Sequence, residues 1–168
     1  MKIFTEFLET TEIYCDMDGV LVNLYAGIKK HLGTQKLNQG IMDDFFNSDV
    51  GKSAEFWANC PWESGGKQLW KYINQFDTHI LSACPSICHQ DKNVIKGKTQ
   101  WCLKNLKIHT SKIHIVQRNE KKDFAAGNKV LIDDRDKNIR EWESAGGTGI
   151  LHKNTNSTLK QLKGMVSG

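Results

Sequence analysis

Two short acidic runs in this 168-residue chain could do chemistry together. Asp16-Met17-Asp18-Gly19 ends the apolar run Ile13-Tyr14-Cys15, and Asp133-Asp134 ends Lys129-Val130-Leu131-Ile132. Residues two apart in an extended chain point the same way, so Asp16 and Asp18 can face one site, and Gly19 lets the chain turn sharply against a ligand. Asp133 and Asp134 are adjacent, so one reaches a metal directly while the other acts through water or in support. Carboxylates brought together repel one another, and their convergence requires a cation; hard oxygen donors with room for water favour Mg²⁺. Such an ion also neutralises a phosphate monoester and holds it against a nucleophile. Asp-x-Asp-Gly alone reads equally well as an acidic turn. Two strands ending in acidic pairs separate the two readings.

The elements that must position these groups follow from hydrophobic periodicity. Strands are predicted at Ile13–Cys15, Thr78–Leu81, Ile113–Val116, Lys129–Ile132 and Thr148–Leu151. Helices are predicted at Tyr25–Leu32, stopped by Gly33, at Asp91–Leu106 and at Lys137–Ala145, with a short terminal one from Ser157. The Asp91–Leu106 helix is expected to turn Val94, Trp101, Cys102 and Leu103 inward and Lys96, Lys98 and Lys104 outward. Strands alternating with helices give an α/β, Rossmann-like core whose parallel sheet is flanked by helices, with ligands beyond the carboxyl ends of the strands. Residues 1–22 and 77–168 form that core, and the aromatic-rich stretch 23–76 forms a small helical cap inserted after the first strand. Within it, Leu69, Tyr72, Ile73 and Phe76 repeat at helical spacing and read as core.

Composition narrows the function classes. The chain suits one core with a small inserted subdomain. The first twelve residues carry Glu6, Glu9 and Glu12 and no apolar run, so the expectation is a cytoplasmic protein with no membrane partner. The five cysteines are odd in number and read as reduced thiols; Cys84-Pro-Ser-Ile-Cys88-His89 lacks the C-x-x-C spacing of a zinc site. A net charge of +4 with dispersed lysines suits an anionic substrate but gives no basic tract for nucleic acid. Gly51-Lys52-Ser53 imitates part of a P-loop, yet the glycine that the motif requires five residues earlier is Phe46. The six histidines form no triad or metal spacing.

These residues resemble the haloacid dehalogenase (HAD) superfamily of phosphatases. Ile13 to Val20 looks like its first motif, h-h-h-D-x-D-G-[VT], and Val130 to Asp134 like its fourth; Ser82 fits the second, and Lys121 or Lys122 the third. Asp134-Arg135-Asp136-Lys137-Asn138, with Trp142 and Gly146-Gly147, is similar to the small bacterial and phage members of the 5'(3')-deoxyribonucleotidase branch. The resemblance implies a Mg²⁺-dependent phosphatase in which Asp16 is the nucleophile and forms an aspartyl-phosphate, and Asp18 is the general acid and base. Ser82, Ala83 and Lys121 (or Lys122) would bind phosphate. The metal would be held by Asp16, the Asp18 backbone carbonyl and Asp134, with Asp133 direct or in support. An aspartate at position 18 marks phosphatases rather than dehalogenases.

In this branch cap aromatics stack on the base, which makes Phe45, Phe46, Trp57 and Trp62 candidate substrate contacts; the alternative is that they fill a small cap core. The implied substrate is a nucleoside monophosphate, with a polynucleotide 3'-phosphate end or a sugar phosphate as the alternative and a non-catalytic nucleotide-binding module as the rival class. A homodimer is compatible with this reading. Leu81-Ser82-Ala83-Cys84 departs from the branch's Thr-Ser-Pro pattern, so its sugar preference does not carry over.

Overall fold

A computed structural model describes residues 11–86 and 91–167. Five strands, β1 (Glu12–Cys15), β2 (Asp77–Ala83), β3 (Ile113–Val116), β4 (Lys129–Asp133) and β5 (Thr148–Leu151), form one parallel sheet in the order β3-β2-β1-β4-β5. Four helices lie between β1 and β2: α1 (Leu24–Leu32), α2 (Gln39–Asn47), α3 (Ala54–Ala58) and α4 (Gly66–Ile73). They are followed by α5 (Lys92–Leu106), α6 (Asp136–Ser144) and α7 (Thr155–Ser167). The predicted strands are all present, because each apolar run is short, β-branched and bounded by turn residues.

Alternation along the strands divides the core. Ile13, Cys15, Val130 and Ile132 face one side, where α4, α5 and α7 bury Leu69, Trp101, Cys102 and Leu162 against them. Tyr14, Leu81 and Leu131 face the other side, covered by Ile139 and Trp142 of α6. His114 of β3 is half-buried, its Nε2 3.0 Å from His79 Nδ1. A separate cluster joins Ile28, Phe45, Phe46 and Trp57 of the inserted segment to Val94 of α5. The insertion thus has its own small core over α1–α3, while α4 packs with the sheet.

Two expectations for α5 need correction. Lys98 is only 1% exposed, whereas Leu103 is 41% exposed. Val94, Lys98, Trp101 and Cys102 fall on one helical stripe, and Lys98 is buried with it because acceptors await its ammonium group. The Cys88 and His89 of the zinc reading lie outside the described residues; Cys15, Cys60, Cys84 and Cys102 are free thiols. Among the described residues, no helix is long and apolar enough to cross a membrane.

Candidate active site

Sheet register brings the acidic runs together. Cys15 is level with Ile132 of β4 and Ile80 of β2, and the Asp16 amide donates to the Ile132 carbonyl at 2.9 Å. Asp16 therefore emerges beside Asp133. Beyond it the chain folds on itself: the Met17 carbonyl accepts from the amides of Val20, Leu21 and Val22. Gly19, at φ +80°, makes that turn, and a Cβ there would collide with the Asp134 carboxylate. One carboxylate oxygen each from Asp16, Asp133 and Asp134 lie within 4.8 Å of one another.

The two neighbouring aspartates at the end of β4 have different surroundings. Asp133 is wholly buried, and both its oxygens are occupied: Lys121 donates to Oδ2 at 2.7 Å, the Arg135 amide to Oδ1 at 2.9 Å, and Asn138 Nδ2 to both. Asn138 Oδ1 in turn accepts from Arg118, which also pairs with Glu141. Asp134 has no such partners and opens to the cavity. Burial of its carboxylate, with repulsion from Asp16 and Asp133, lifts its pKa to about 6.

Lys121, not the exposed Lys122, lies in the site, with Nζ 3.1 Å from Asp16 Oδ1. Burial opposes its charge, but Asp16 and Asp133 outweigh burial and raise its pKa above the ordinary lysine value. The segment carrying it, Arg118–Phe124, is a 3₁₀ turn closed by a capping box between Gln117 and Glu120. The Asp16 hydrogen bond from the Met17 amide, 2.8 Å, also falls on Oδ1, so Oδ2 is the oxygen left for a ligand.

On the opposite side, Lys98 donates to Asp18 Oδ2, to Ser82 Oγ at 3.1 Å and to the Ala83 carbonyl at 2.8 Å. Ser82 is fully buried on Lys98 and does not line the cavity; Ala83, next along, does.

The cavity, about 820 Å³, is bordered by Asp16, Asp18, Ala83, Lys121 and Asp134 and extends under the insertion to Tyr25, Gln39, Asp43 and Phe46. Of the four candidate cap aromatics only Phe46 reaches it. Phe45 is buried in the cap core, Trp57 is held there by donating Nε1 to the Gly51 carbonyl at 2.8 Å, and Trp62 packs on Trp101 at 4.8 Å between ring centroids. Of the cap-core rings Phe45, Phe46 and Trp57, only Phe46 also borders the cavity.

Sequence reasoning missed Tyr25, Asn138 and Lys98. Tyr25 is 59% exposed and lines the cavity. Asn138 was visible as a polar residue on the inner face of α6 and readable as a buried group that needs partners, whereas Lys98 was expected to point outward.

No family model and no curated protein sequence matches the chain. Solved structures do. A hydrolase from Streptococcus pneumoniae TIGR4 is 13% identical over 92% of this chain and 98% of its own, with a TM-score of 0.56. A haloacid dehalogenase-like family hydrolase from Streptococcus pneumoniae is 15% identical over 83% of this chain and 82% of its own, with a TM-score of 0.49. A HAD-superfamily hydrolase of subfamily IA from Geobacter sulfurreducens PCA is 12% identical over 90% and 96%, with a TM-score of 0.48. The five-stranded parallel sheet with its flanking helices is a Rossmann-like fold that this chain shares with the Streptococcus pneumoniae TIGR4 hydrolase.

Proposed function

We propose that this protein is a Mg²⁺-dependent phosphomonoester hydrolase acting on nucleoside monophosphates, in the manner of a 5'(3')-deoxyribonucleotidase. The observation that carries the reading is the convergence of Asp16, Asp133 and Asp134 within 4.8 Å at one end of the sheet, beside the buried Lys121. Three clustered carboxylates against one lysine leave a net negative centre of hard oxygens, which fits Mg²⁺. Asp16 and Asp134 would hold the ion with the Asp18 backbone carbonyl, while Asp133, already occupied, orients Lys121. The ion supplies neutralisation of the phosphate oxygens.

The remaining chemistry belongs to the side chains. An Asp16 oxygen attacks phosphorus, the bond to the leaving oxygen breaks, and Asp18 gives that oxygen its proton. Water then attacks the aspartyl-phosphate, Asp18 takes up the water's proton, and free phosphate leaves. Lys121 balances charge beside Asp16 throughout.

For the substrate, a cavity of about 820 Å³ accommodates a nucleotide, and the exposed Tyr25 offers a ring face for a base, with Phe46 bordering the same cavity. One observation favours a polynucleotide 3'-phosphate end: a shallow groove of about 600 Å³, lined by Lys29 and Lys36, adjoins the cavity at Tyr25 and would suit further phosphates. Phosphate release from 5'- and 3'-deoxyribonucleotides, ribonucleotides, sugar phosphates and a 3'-phosphorylated oligonucleotide, with Mg²⁺ or EDTA, decides between these. Mononucleotides turned over best with Mg²⁺ is the expected result. Preference for the oligonucleotide selects the second substrate, and folded, Mg²⁺-loaded protein silent on every compound contradicts a phosphatase.

A further inference from the structure

Lys98 is placed where the proposed reaction has no use for a second phosphate-binding lysine. Its ammonium has three hydrogens and three acceptors: Asp18 Oδ2, Ser82 Oγ and the Ala83 carbonyl. No N–H remains to meet a substrate. The residue is held from below as well, its Nζ lying 5.0 Å from the centre of the Trp57 ring of α3. Asp18, by contrast, is tied at one oxygen only. Its Oδ1 is buried and has no hydrogen-bond partner, although buried polar atoms nearly always have one. Asp18 itself borders the cavity.

From these contacts we infer that Lys98 is a positioning residue for proton transfer: it pins the Asp18 carboxylate by Oδ2 and so fixes the orientation in which Asp18 borders the cavity and gives its proton to the leaving group. Ser82 and Ala83 belong to the same device, because they fix the lysine that fixes the acid. Trp57 extends it into the insertion, so the cap core braces the acid from behind. A free carboxylate would rotate about its bond to the chain; one clamped by Lys98 is held in a single orientation at the cavity wall, as general acid catalysis requires. The inference rests on the phosphatase reading above.

The leaving group provides the test. The value of kcat/KM reports steps only up to loss of the leaving group, so the later hydrolysis of the aspartyl-phosphate does not enter it. Nucleoside alkoxide needs the proton; para-nitrophenolate does not. Lys98→Met is expected to lower kcat/KM for a nucleoside monophosphate by about 100-fold and for para-nitrophenyl phosphate by less than about tenfold. Equal losses on both substrates, as a general structural defect would give, overturn the inference.

Lys98→Met alone leaves Asp18 unpaired and can impair folding, so the second measurement uses Asp18→Asn, with and without Lys98→Met. If Lys98 acts through Asp18, adding its loss to Asp18→Asn costs nothing further in kcat/KM; a further drop of about tenfold or more overturns the proposal. Wild-type protein inactive on both compounds overturns the phosphatase reading, and this role for Lys98 with it. That outcome is distinct from an active enzyme with equal losses.

Discussion

Gly19 and Asp134 constrain one another. The positive φ of Gly19 excludes most side chains, and any Cβ there would occupy the space of the Asp134 carboxylate. Gly19→Ala is therefore expected to cost about 1–3 kcal/mol through backbone strain alone and to weaken Mg²⁺ binding by displacing Asp134. Thermal melts with and without Mg²⁺ check both parts. Asp134 also sets a pH dependence. Its pKa is about 6 in the fold against an ordinary 3.8, so the folded metal-free protein holds this proton more tightly than the unfolded chain. The group then adds stability as pH falls through about 6 toward 4, and its ionised form costs stability above that range. In the proposed function Mg²⁺ would need the carboxylate and expel the proton. Its stabilisation of the fold should be full near pH ~7.5 and shrink near pH ~5, as read by the Mg²⁺-induced shift in Tm. At this scale the acidic residues were legible in the sequence because each sits at or just beyond a strand end, whereas Lys121 came only from the family resemblance, with Lys122 beside it as the alternative. Lys98 was not legible: helical wheels sort lysines outward by type, and only the position of Ser82 and Asp18 in space shows that its charge is satisfied inside.

The strands were legible almost to the residue, since buried parallel strands are short apolar runs with no competing periodicity. The helix α5 was legible in extent and in its inward stripe of Val94, Trp101 and Cys102; only Lys98, buried on that stripe, and Leu103, exposed, depart from expectation. The reason is the neighbour: α3 lies so close on α5 that a Cβ at Gly97 would strike the Ala54 carbonyl and the Trp57 side chain. That contact closes the stripe over Lys98, and no local pattern encodes the acceptors that let a lysine lie there. It also makes a prediction in which two effects compete. Gly97→Ala gains up to about 1 kcal/mol of helix propensity but overpacks a closed contact, which costs about 1–3 kcal/mol. The contact is expected to win, lowering Tm and reducing kcat through Trp57 and Lys98. A raised Tm would mean that α3 is not seated on α5.

For the whole molecule, the sheet ends supply the acidic residues and the insertion supplies enclosure, and the two meet at the cavity bordered by Asp16, Asp134, Tyr25 and Phe46. The aromatic content of the insertion was plain in the sequence; which rings face the ligand depended on packing, and the buried Trp57 and the exposed Tyr25 show the two fates. Their variants should differ accordingly. Tyr25→Ala should raise KM for nucleotides by roughly 5- to 100-fold, as losing one base stack worth about 1–3 kcal/mol would, and leave para-nitrophenyl phosphate nearly unaffected. Trp57→Ala should instead destabilise the fold by about 3–5 kcal/mol and slow both substrates. The most direct test of the central claim is acid-quenched mass spectrometry of the protein after brief exposure to substrate and Mg²⁺. A phosphoryl group on Asp16, absent in Asp16→Asn and absent with EDTA, is the predicted result; Mg²⁺-dependent turnover that persists undiminished in Asp16→Asn would contradict it.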